Sequence, residues 1–539
     1  MNCFLVLLIL VTSFSFVNVN VNVNALENDD KNFIFEEEQK VLQYSDNSTD
    51  AKVEKLAIIG AGAAGSSAAY HLQYFTNHLY NVTIFEKLNY VGGRSTTISN
   101  FEGSNDNDDI DDFYAELGAS IFIKDNKILS KAVDIFNLTL QEFSVEEKYP
   151  DLFDGSFGIW NGNKFVFEGQ SNSLWSKFKF WKKYGYSPIK AYRLNKNLIR
   201  NKFLKFFYDN DEHFPFDDLN KINIESGLIE LTNKTGKDYL TDVENLNQDF
   251  IKEFVQATTR VNYAQNIDQL HALGSLVTLA AAFSGSGLQV KGGNYKIFEK
   301  FISFSENNQL LLNSQVNKIE LMKGDENWKI TYNDGVEDFF NQVLIASPYH
   351  TLQDIEIDIP NKENEKFLIN NDLAKVEFVK LHVLILKSKE KLSSEYFNST
   401  GNLESLPEFI MTTQNDLDEN PPFFSINIID YNNDTDNYIY KIFSPIDMTL
   451  ENNDFKLSTL FKENNYEILK NHLWESYPYL VPKNKFDTFK LHEDGLWYLN
   501  TMESFISTME TSALMGANVA ALISNGKNTT NLIIPIGSS

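Results

Sequence analysis

The hydrophobic pattern begins abruptly at Lys55. Lys55-Leu-Ala-Ile-Ile59 is an apolar run of strand length, and Asn81-Val-Thr-Ile-Phe-Glu86 is a second one. Between them, residues 63–75 carry apolar positions at helical spacing, with the small side chains first. Strand, helix and strand in that order open a doubly wound α/β domain. From about residue 125 to residue 282 helical spacing dominates, and strand patterns return after Leu310, in Trp328-Lys-Ile-Thr-Tyr332 and Gln342-Val-Leu-Ile-Ala346. Residues 351–489 mix strands with loops. A last strand over 496–499 leads into a helix over about 507–524. One stretch, 175–205, interleaves aromatic and basic side chains: Trp175, Lys177, Phe178, Lys179, Phe180, Trp181, Lys182, Lys183, then Arg193, Lys196 and Arg200. Two readings of it stay open: an amphipathic helix pair whose lysines snorkel, or a local membrane-facing entrance.

Ahead of Lys55 the chain has a different character. Residues 3–17 are almost wholly apolar and Val23-Asn24-Ala25 offers small residues for cleavage, so 1–25 reads as a signal peptide. No Lys or Arg precedes the apolar run, which leaves an uncleaved anchor as the alternative. The run is nevertheless shorter than the ~20 residues a span needs. Residues 26–52 are acidic and polar and read as a flexible lead-in, and 527–539 as a tail. The only cysteine is Cys3, so the mature chain is expected to have no disulfide, no thiol nucleophile and no cysteine-linked cofactor. A chain of 539 residues is too long for one core, so two or more domains are expected, and a large core replaces the disulfides that secretion usually invites.

The net charge of −27 argues against nucleic acid, because nothing would neutralise phosphates over a broad surface. It argues equally against broad docking on anionic membranes, and it suits an acidic lumen. Asn47, Asn137, Asn233, Asn398, Asn433 and Asn528 head glycosylation sequons, while Asn81, at the start of a core strand, is a doubtful acceptor. The acidic run 105–112 lacks the turn glycine and closing Glu of a calcium loop and reads as solvated. His271, His472 and His492 fall in no metal spacing and read as structural, so no metal is expected.

The chemistry is concentrated at a few short motifs. Gly60-Ala61-Gly62-Ala63-Ala64-Gly65 follows a strand and opens a helix, where backbone can approach a pyrophosphate at the helix N-terminus. Glu86, with Lys87 beside it, ends the next strand, where a carboxylate accepts ribose hydroxyls. Val91-Gly92-Gly93-Arg94-Ser95 adds a second close backbone approach and an Arg able to fork onto phosphate oxygens. This second glycine pair resembles the flavoprotein group that includes monoamine oxidase, phytoene desaturase and protoporphyrinogen oxidase, which implies FAD rather than NAD. The resemblance extends to Glu116-Leu-Gly118-Ala119-Ser120 beside the flavin, to Val316 at the adenine, and to Ala346 in Leu344-Ile-Ala-Ser-Pro348 on the pyrophosphate side. It also implies that Glu503 meets the ribityl-phosphate region and that Met509 opens a helix aimed at the isoalloxazine.

Within that group the chain is similar to the prenylcysteine oxidase (prenylcysteine lyase) family from about residue 55 to residue 526. The stretches that carry this are Arg260-Val-Asn262-Tyr263-Ala-Gln265, Gly292-Gly293-Asn294, Tyr440-Lys-Ile-Phe-Ser444 and Trp497-Tyr498-Leu499-Asn500. The resemblance implies oxidation of farnesyl- or geranylgeranyl-cysteine by molecular oxygen, to isoprenoid aldehyde, cysteine and hydrogen peroxide. The compartment it implies is the lysosome, with secretion as the alternative, and no obligate protein partner is expected. Arg260 either holds the cysteinyl carboxylate or pairs internally; Asn262, Tyr263, Gly293 and Asn294 are further substrate candidates, and Gly292-Gly293-Asn294 reads equally as an interdomain turn. The expected fold is a Rossmann-like FAD-binding domain, discontinuous over 53–124, 285–350 and 490–526. A mixed α+β substrate domain takes 125–284 and 351–489. Two rivals remain: another flavin oxidase acting on amines or isoprenoids, and a non-catalytic prenyl-binding carrier, against which the intact glycine, Glu86 and Arg94 set speaks.

Overall fold

The computed structural model describes residues 53–99, 114–141, 144–208, 213–283, 287–322, 328–333, 335–359, 376–398, 406–450, 455–461 and 465–524. The signal peptide, the lead-in, the acidic run 105–112, the tail, Asn47 and Asn528 lie outside them. From Glu54 to Ser524 the described residues pack as one compact unit.

Three far-apart segments build one sheet. Its strands run in the order Lys490–His492, Leu496–Tyr498, Gln342–Ile345, Lys55–Ile59, Asn81–Phe85, Asn308–Leu311. The five from Leu496–Tyr498 onward pair in parallel, and Lys490–His492 closes the edge antiparallel. Leu56, Ala57, Ile58, Val343 and Ile345 are fully buried, because helices or a second layer cover both faces of a parallel sheet. One face packs helix Ala63–Thr76, which in turn packs helix Met509–Ile523. Gly516 is required there: a Cβ would stand 2.2 Å from the Ala64 carbonyl. Ser67 Oγ also donates across this contact to the Ala513 carbonyl at 2.6 Å. The other face packs the four-stranded sheet of Val336–Phe340, Trp328–Tyr332, Val316–Leu321 and Glu356–Asp358.

The second large element is a seven-stranded sheet, ordered Tyr466–Pro478, Phe378–Ser388, Asn437–Ser444, Ser425–Asn432, Phe409–Thr412, Ser156–Trp160, Phe165–Gln170. Its last two strands correct the helical expectation for 125–282. Ser156–Trp160 and Phe165–Gln170 form an antiparallel hairpin that extends the sheet through Phe409–Thr412. The signal was present in the alternation around Phe157, Ile159 and Phe167 and in the turn at Asn161-Gly162-Asn163, but the surrounding helical periodicity outweighed it. Apart from a short strand at Leu140–Gln141, the regular elements in the rest of the segment are helices, including Leu174–Tyr184, Ser187–Asn195, Gln256–Tyr263 and Ala272–Phe283.

Candidate active site

In a doubly wound sheet, ligands bind beyond the carboxyl ends of the strands where the strand order reverses. Here that point lies at the ends of Lys55–Ile59, Asn81–Phe85 and Gln342–Ile345, which deliver Gly60, Glu86 and Ala346 to one place. Gly60 N–H donates to the Phe85 carbonyl at 2.8 Å, and Ala346 N–H to the Ile59 carbonyl at 2.8 Å. A cavity of about 950 Å³ opens from these ends. That is at the upper limit for ligand sites and leaves room for more than one small molecule.

The glycine turn shows what this cavity is shaped for. A Cβ on Gly65 would stand 2.0 Å from the Gly60 carbonyl oxygen, so this residue sets helix against strand. Gly62 differs: a Cβ there would meet only Gly92 O at 3.9 Å and Gly93 Cα at 4.0 Å, on the cavity side. Backbone is thus bare where a phosphate would approach the first turn of helix Ala63–Thr76, whose leading N–H groups have no intrahelical acceptor. The second glycine pair is tied to the first, with Gly92 N–H donating to the Ala61 carbonyl at 3.0 Å.

Glu86 lines the cavity and is 6% exposed. Its Oε2 accepts the Ala61 N–H and its Oε1 the Leu88 N–H, both at 2.9 Å. Burial raises its pKa, and these two N–H groups oppose the shift. A carboxylate has about four lone-pair sites, so Glu86 is fixed by two backbone donors with acceptor capacity left for ribose hydroxyls.

Arg94 is placed differently from the phosphate fork that its motif suggests. Its guanidinium pairs with the Glu503 carboxylate and donates to the Ser476 carbonyl at 2.7 Å. Asn500 Nδ2 donates to the same Glu503 oxygen at 3.1 Å. Next to it, 116–120 is pinned from several sides. Ala119 N–H donates to the Arg94 carbonyl at 3.0 Å, and Trp474 Nε1 to the Leu117 carbonyl at 2.9 Å.

Lys441 reaches this loop from the seven-stranded sheet. Its Nζ donates to the Glu116 carbonyl at 2.5 Å and to Ser120 Oγ at 2.7 Å. Lys441 and Glu116 both line the cavity and are both buried. Burial lowers the lysine pKa and raises that of Glu116, and the attraction between them works against both shifts. They are the titratable pair that reading the sequence missed as a site. The available signal was a lysine in the apolar strand Tyr440-Lys441-Ile442-Phe443, flanked by buried Tyr440 and Ile442.

The cavity brings together Gly60, Gly62, Ala63, Ala64, Glu86, Lys87, Gly93, Arg94, Ser95, Gly118, Ala119, Ser120, Val316, Ala346, Glu503 and Met509. Asn262 and Tyr263 also line it. Arg260 does not, and of its two readings the internal pairing is the one its contacts follow. Its five donors are all spent inside the protein, on Thr412 Oγ1, Asn266 Oδ1, Asn420 Oδ1 and the carbonyls of Pro421 and Phe423. It is 2% exposed, and burial lowers its pKa to about 10. Gly293 and Asn294 are likewise outside the cavity lining, and their contacts follow the turn reading rather than the substrate one. Asn294 is fully buried; its N–H donates to Glu116 Oε1 at 2.7 Å, and its Nδ2 to the carbonyls of Ala119 and Ser120. Gly293, at φ +120, makes the turn that brings Asn294 there.

The observed groups fit FAD: bare backbone at Gly62 for the pyrophosphate, an oriented acceptor at Glu86 for ribose, and one continuous cavity running on past Ser120 and Met509. With a second sheet walling that cavity, fold and site define an FAD-dependent oxidoreductase with a Rossmann-like domain. The Rossmann-like NAD(P)-binding pattern matches residues 58–136, and the prenylcysteine lyase pattern matches residues 167–533. The chain belongs to the prenylcysteine lyase family. It is 28% identical to a farnesylcysteine lyase of Arabidopsis thaliana, over 87% of each chain. It is 26% identical to prenylcysteine oxidase 1 of Rattus norvegicus, over 88% of this chain and 89% of that one. A solved fatty acid isomerase from P. acnes shares the fold at 13% identity, with a TM-score of 0.58 over 88% of this chain and 99% of that one.

Proposed function

We propose that the chain cleaves the thioether of farnesyl- or geranylgeranyl-cysteine by oxidation, giving isoprenoid aldehyde, free cysteine and hydrogen peroxide. The observation that carries this is the apolar limb of the cavity. Ile199, Phe203, Leu204, Val261, Val277 and Phe283 line the same space as the FAD cradle. A prenyl tail fills such a limb, and each methylene withdrawn from water contributes about 0.8 kcal/mol. FAD held by the Gly60–Gly65 turn, Glu86 and the 116–120 loop would supply a two-electron oxidant for hydride loss from the carbon between sulfur and alkene, with molecular oxygen as the final acceptor, leaving as hydrogen peroxide. Sulfur and the double bond both stabilise the cation left at that carbon. Water adds there with loss of a proton, and the hemithioacetal collapses with C–S cleavage, the sulfur leaving as the thiol.

The residues of this chain position and exclude rather than attack. The apolar wall aligns the tail and keeps bulk water from the reacting carbon. The buried Lys441–Glu116 pair holds protons inside the cavity, where the water-addition and collapse steps need to lose and regain them. Peroxide release with farnesylcysteine, a polyamine and an intact prenylated protein tests the reading. Turnover of the first alone supports it, and turnover of the polyamine alone moves the chain to amine oxidation.

The compartment proposed is the secretory pathway ending in the lysosome. The apolar leader supports it, and so do the sequon residues Asn137, Asn233, Asn398 and Asn433, which are all exposed. A mass shift on deglycosylation together with lysosomal fractionation checks this; recovery in the medium would replace lysosome by secretion.

A further inference from the structure

Helix Leu174–Tyr184 is apolar on two opposite sides. Its inner side is spoken for: Phe180 packs edge-on against Phe167 and Phe254, and Tyr184 against Phe250. Its outer side carries Leu174, Trp175, Phe178 and Trp181, spaced so that they fall along one stripe of a helix. These are exposed by 65%, 64%, 41% and 44%. The rings follow one another, Trp175 stacked on Phe178 at 5.5 Å and Phe178 tilted against Trp181 at 6.1 Å, and form a continuous ridge. A surface helix normally buries its apolar face and solvates the other, so a second aromatic face marks an interaction surface.

Charge identifies the partner. Residues 174–205 hold ten Lys and Arg and no Asp or Glu, in a chain of net charge −27. Lys179, Lys182, Arg193 and Lys196 are exposed around the ridge. Indole rings beside long cationic side chains match the boundary of a lipid bilayer, where the rings sit among headgroups and the ammonium groups reach lipid phosphates. Eleven residues are too short to span, since a span takes ~20, so the helix lies along the surface. The two turns of chain that follow lead straight to the cavity, whose wall includes Tyr192, Asn195, Lys196 and Ile199.

We infer that helix Leu174–Tyr184 docks the protein on an anionic lipid bilayer, beside the cavity that takes the substrate. The inference rests on this helix and not on which substrate the cavity accepts. Flotation of the full chain with phosphatidylcholine vesicles, with and without phosphatidylserine, tests it. Wild-type protein is expected to float with the phosphatidylserine vesicles and to be released by salt that shortens the Debye length to about 3 Å. Trp175→Ser with Trp181→Ser, and separately Lys179→Glu with Lys182→Glu, should each lower vesicle binding on the order of tenfold. Both variants should keep the wild-type flavin spectrum and peroxide release from detergent-free soluble substrate, which shows that they are folded. Wild-type protein that ignores the vesicles, or variants that float as well as wild type, overturns the inference. So does ridge-dependent self-association without lipid, which would make the face a protein interface. Failure to turn over farnesylcysteine would overturn the substrate reading and leave the flotation result standing.

Discussion

Arg94 and Glu503, 409 positions apart in the chain, meet as an ion pair at the floor of the cavity. The glutamate side chain is 1% exposed and the arginine 26%, so one partner is buried and the other keeps some water. The pair joins the second glycine motif to the C-terminal segment that precedes helix Met509–Ile523, and Arg94 also holds the Ser476 carbonyl of the seven-stranded sheet. Three distant parts of the chain are locked at one guanidinium.

Glu503→Ala leaves Arg94 without its partner in a largely dry site. The expected loss of stability is about 3 kcal/mol, the low end for a broken buried pair, because Arg94 is partly hydrated. Denaturant unfolding measures it. A double-mutant cycle with Arg94→Met should show strong coupling, since the two changes remove the same contact.

Glu86→Ala removes the acceptor that fixes two backbone N–H groups and offers oxygen to the ribose. Roughly 1–3 kcal/mol is expected for each donor left unpaired. Glu86→Gln should resemble Glu86→Ala more than wild type, because an amide has one acceptor oxygen where two N–H groups need two. Flavin absorbance retained through dialysis checks both; full retention in Glu86→Gln would show that the second oxygen is dispensable.

Lys441→Met removes the proton held over Ser120 and the Glu116 carbonyl while keeping the bulk of the side chain. Turnover is expected to fall on the order of 10²-fold, the low end for a lost acid–base group. The Glu116 pKa, now unopposed by a cation, should rise further. An upward move of the acid limb in the pH profile of kcat/KM separates this from a packing defect, which would lower rate at every pH alike.

His271 gives a pH dependence of defined sign. Its Nδ1 accepts the Gly274 N–H at 3.0 Å, capping helix Ala272–Phe283, and burial lowers its pKa from 6.5 to about 4. The unfolded chain takes up this proton below about pH 6.5 and the folded one does not. The contribution is therefore present above that pH and lost as pH falls toward about 4, up to about 3 kcal/mol. Glu510 works in the opposite sense. Its pKa is raised to about 7 by burial, so its contribution is full below 4.5 and lost as pH rises through about 7. His271→Asn keeps a capping side chain and removes the titration. Thermal unfolding between pH 4 and 7.5 should show the variant closing its stability gap to wild type, or overtaking it, as pH falls; a constant gap would refute the assignment.

Arg260→Lys tests the internal role of that residue. Three donors cannot replace five, so stability should drop by about 2–4 kcal/mol while KM for substrate stays unchanged in the folded fraction. A selective rise in KM would return Arg260 to the substrate.

The local grammar of the chain by itself determined the Rossmann-like opening. A strand, a glycine turn and a helix lie next to each other in sequence, so Gly60, Gly62, Gly65 and Glu86 are positioned by short-range geometry and could be read directly. The hairpin at 156–170 left a local signal that the surrounding helical periodicity masked, and its place in a sheet is set by pairing of Ser156–Trp160 with Phe409–Thr412, some 250 residues later. Only the tertiary structure decided what each polar side chain does. Arg94 and Arg260 are both guanidiniums in motif-like surroundings, yet one lines the cavity and the other is consumed in the core. Asn294 and Lys441 come from opposite sides onto the 116–120 loop, and neither reveals that partner in its own neighbourhood. A hydrogen bond is decided by which groups are brought within about 3 Å of each other, and for groups hundreds of residues apart the folded chain alone sets that distance.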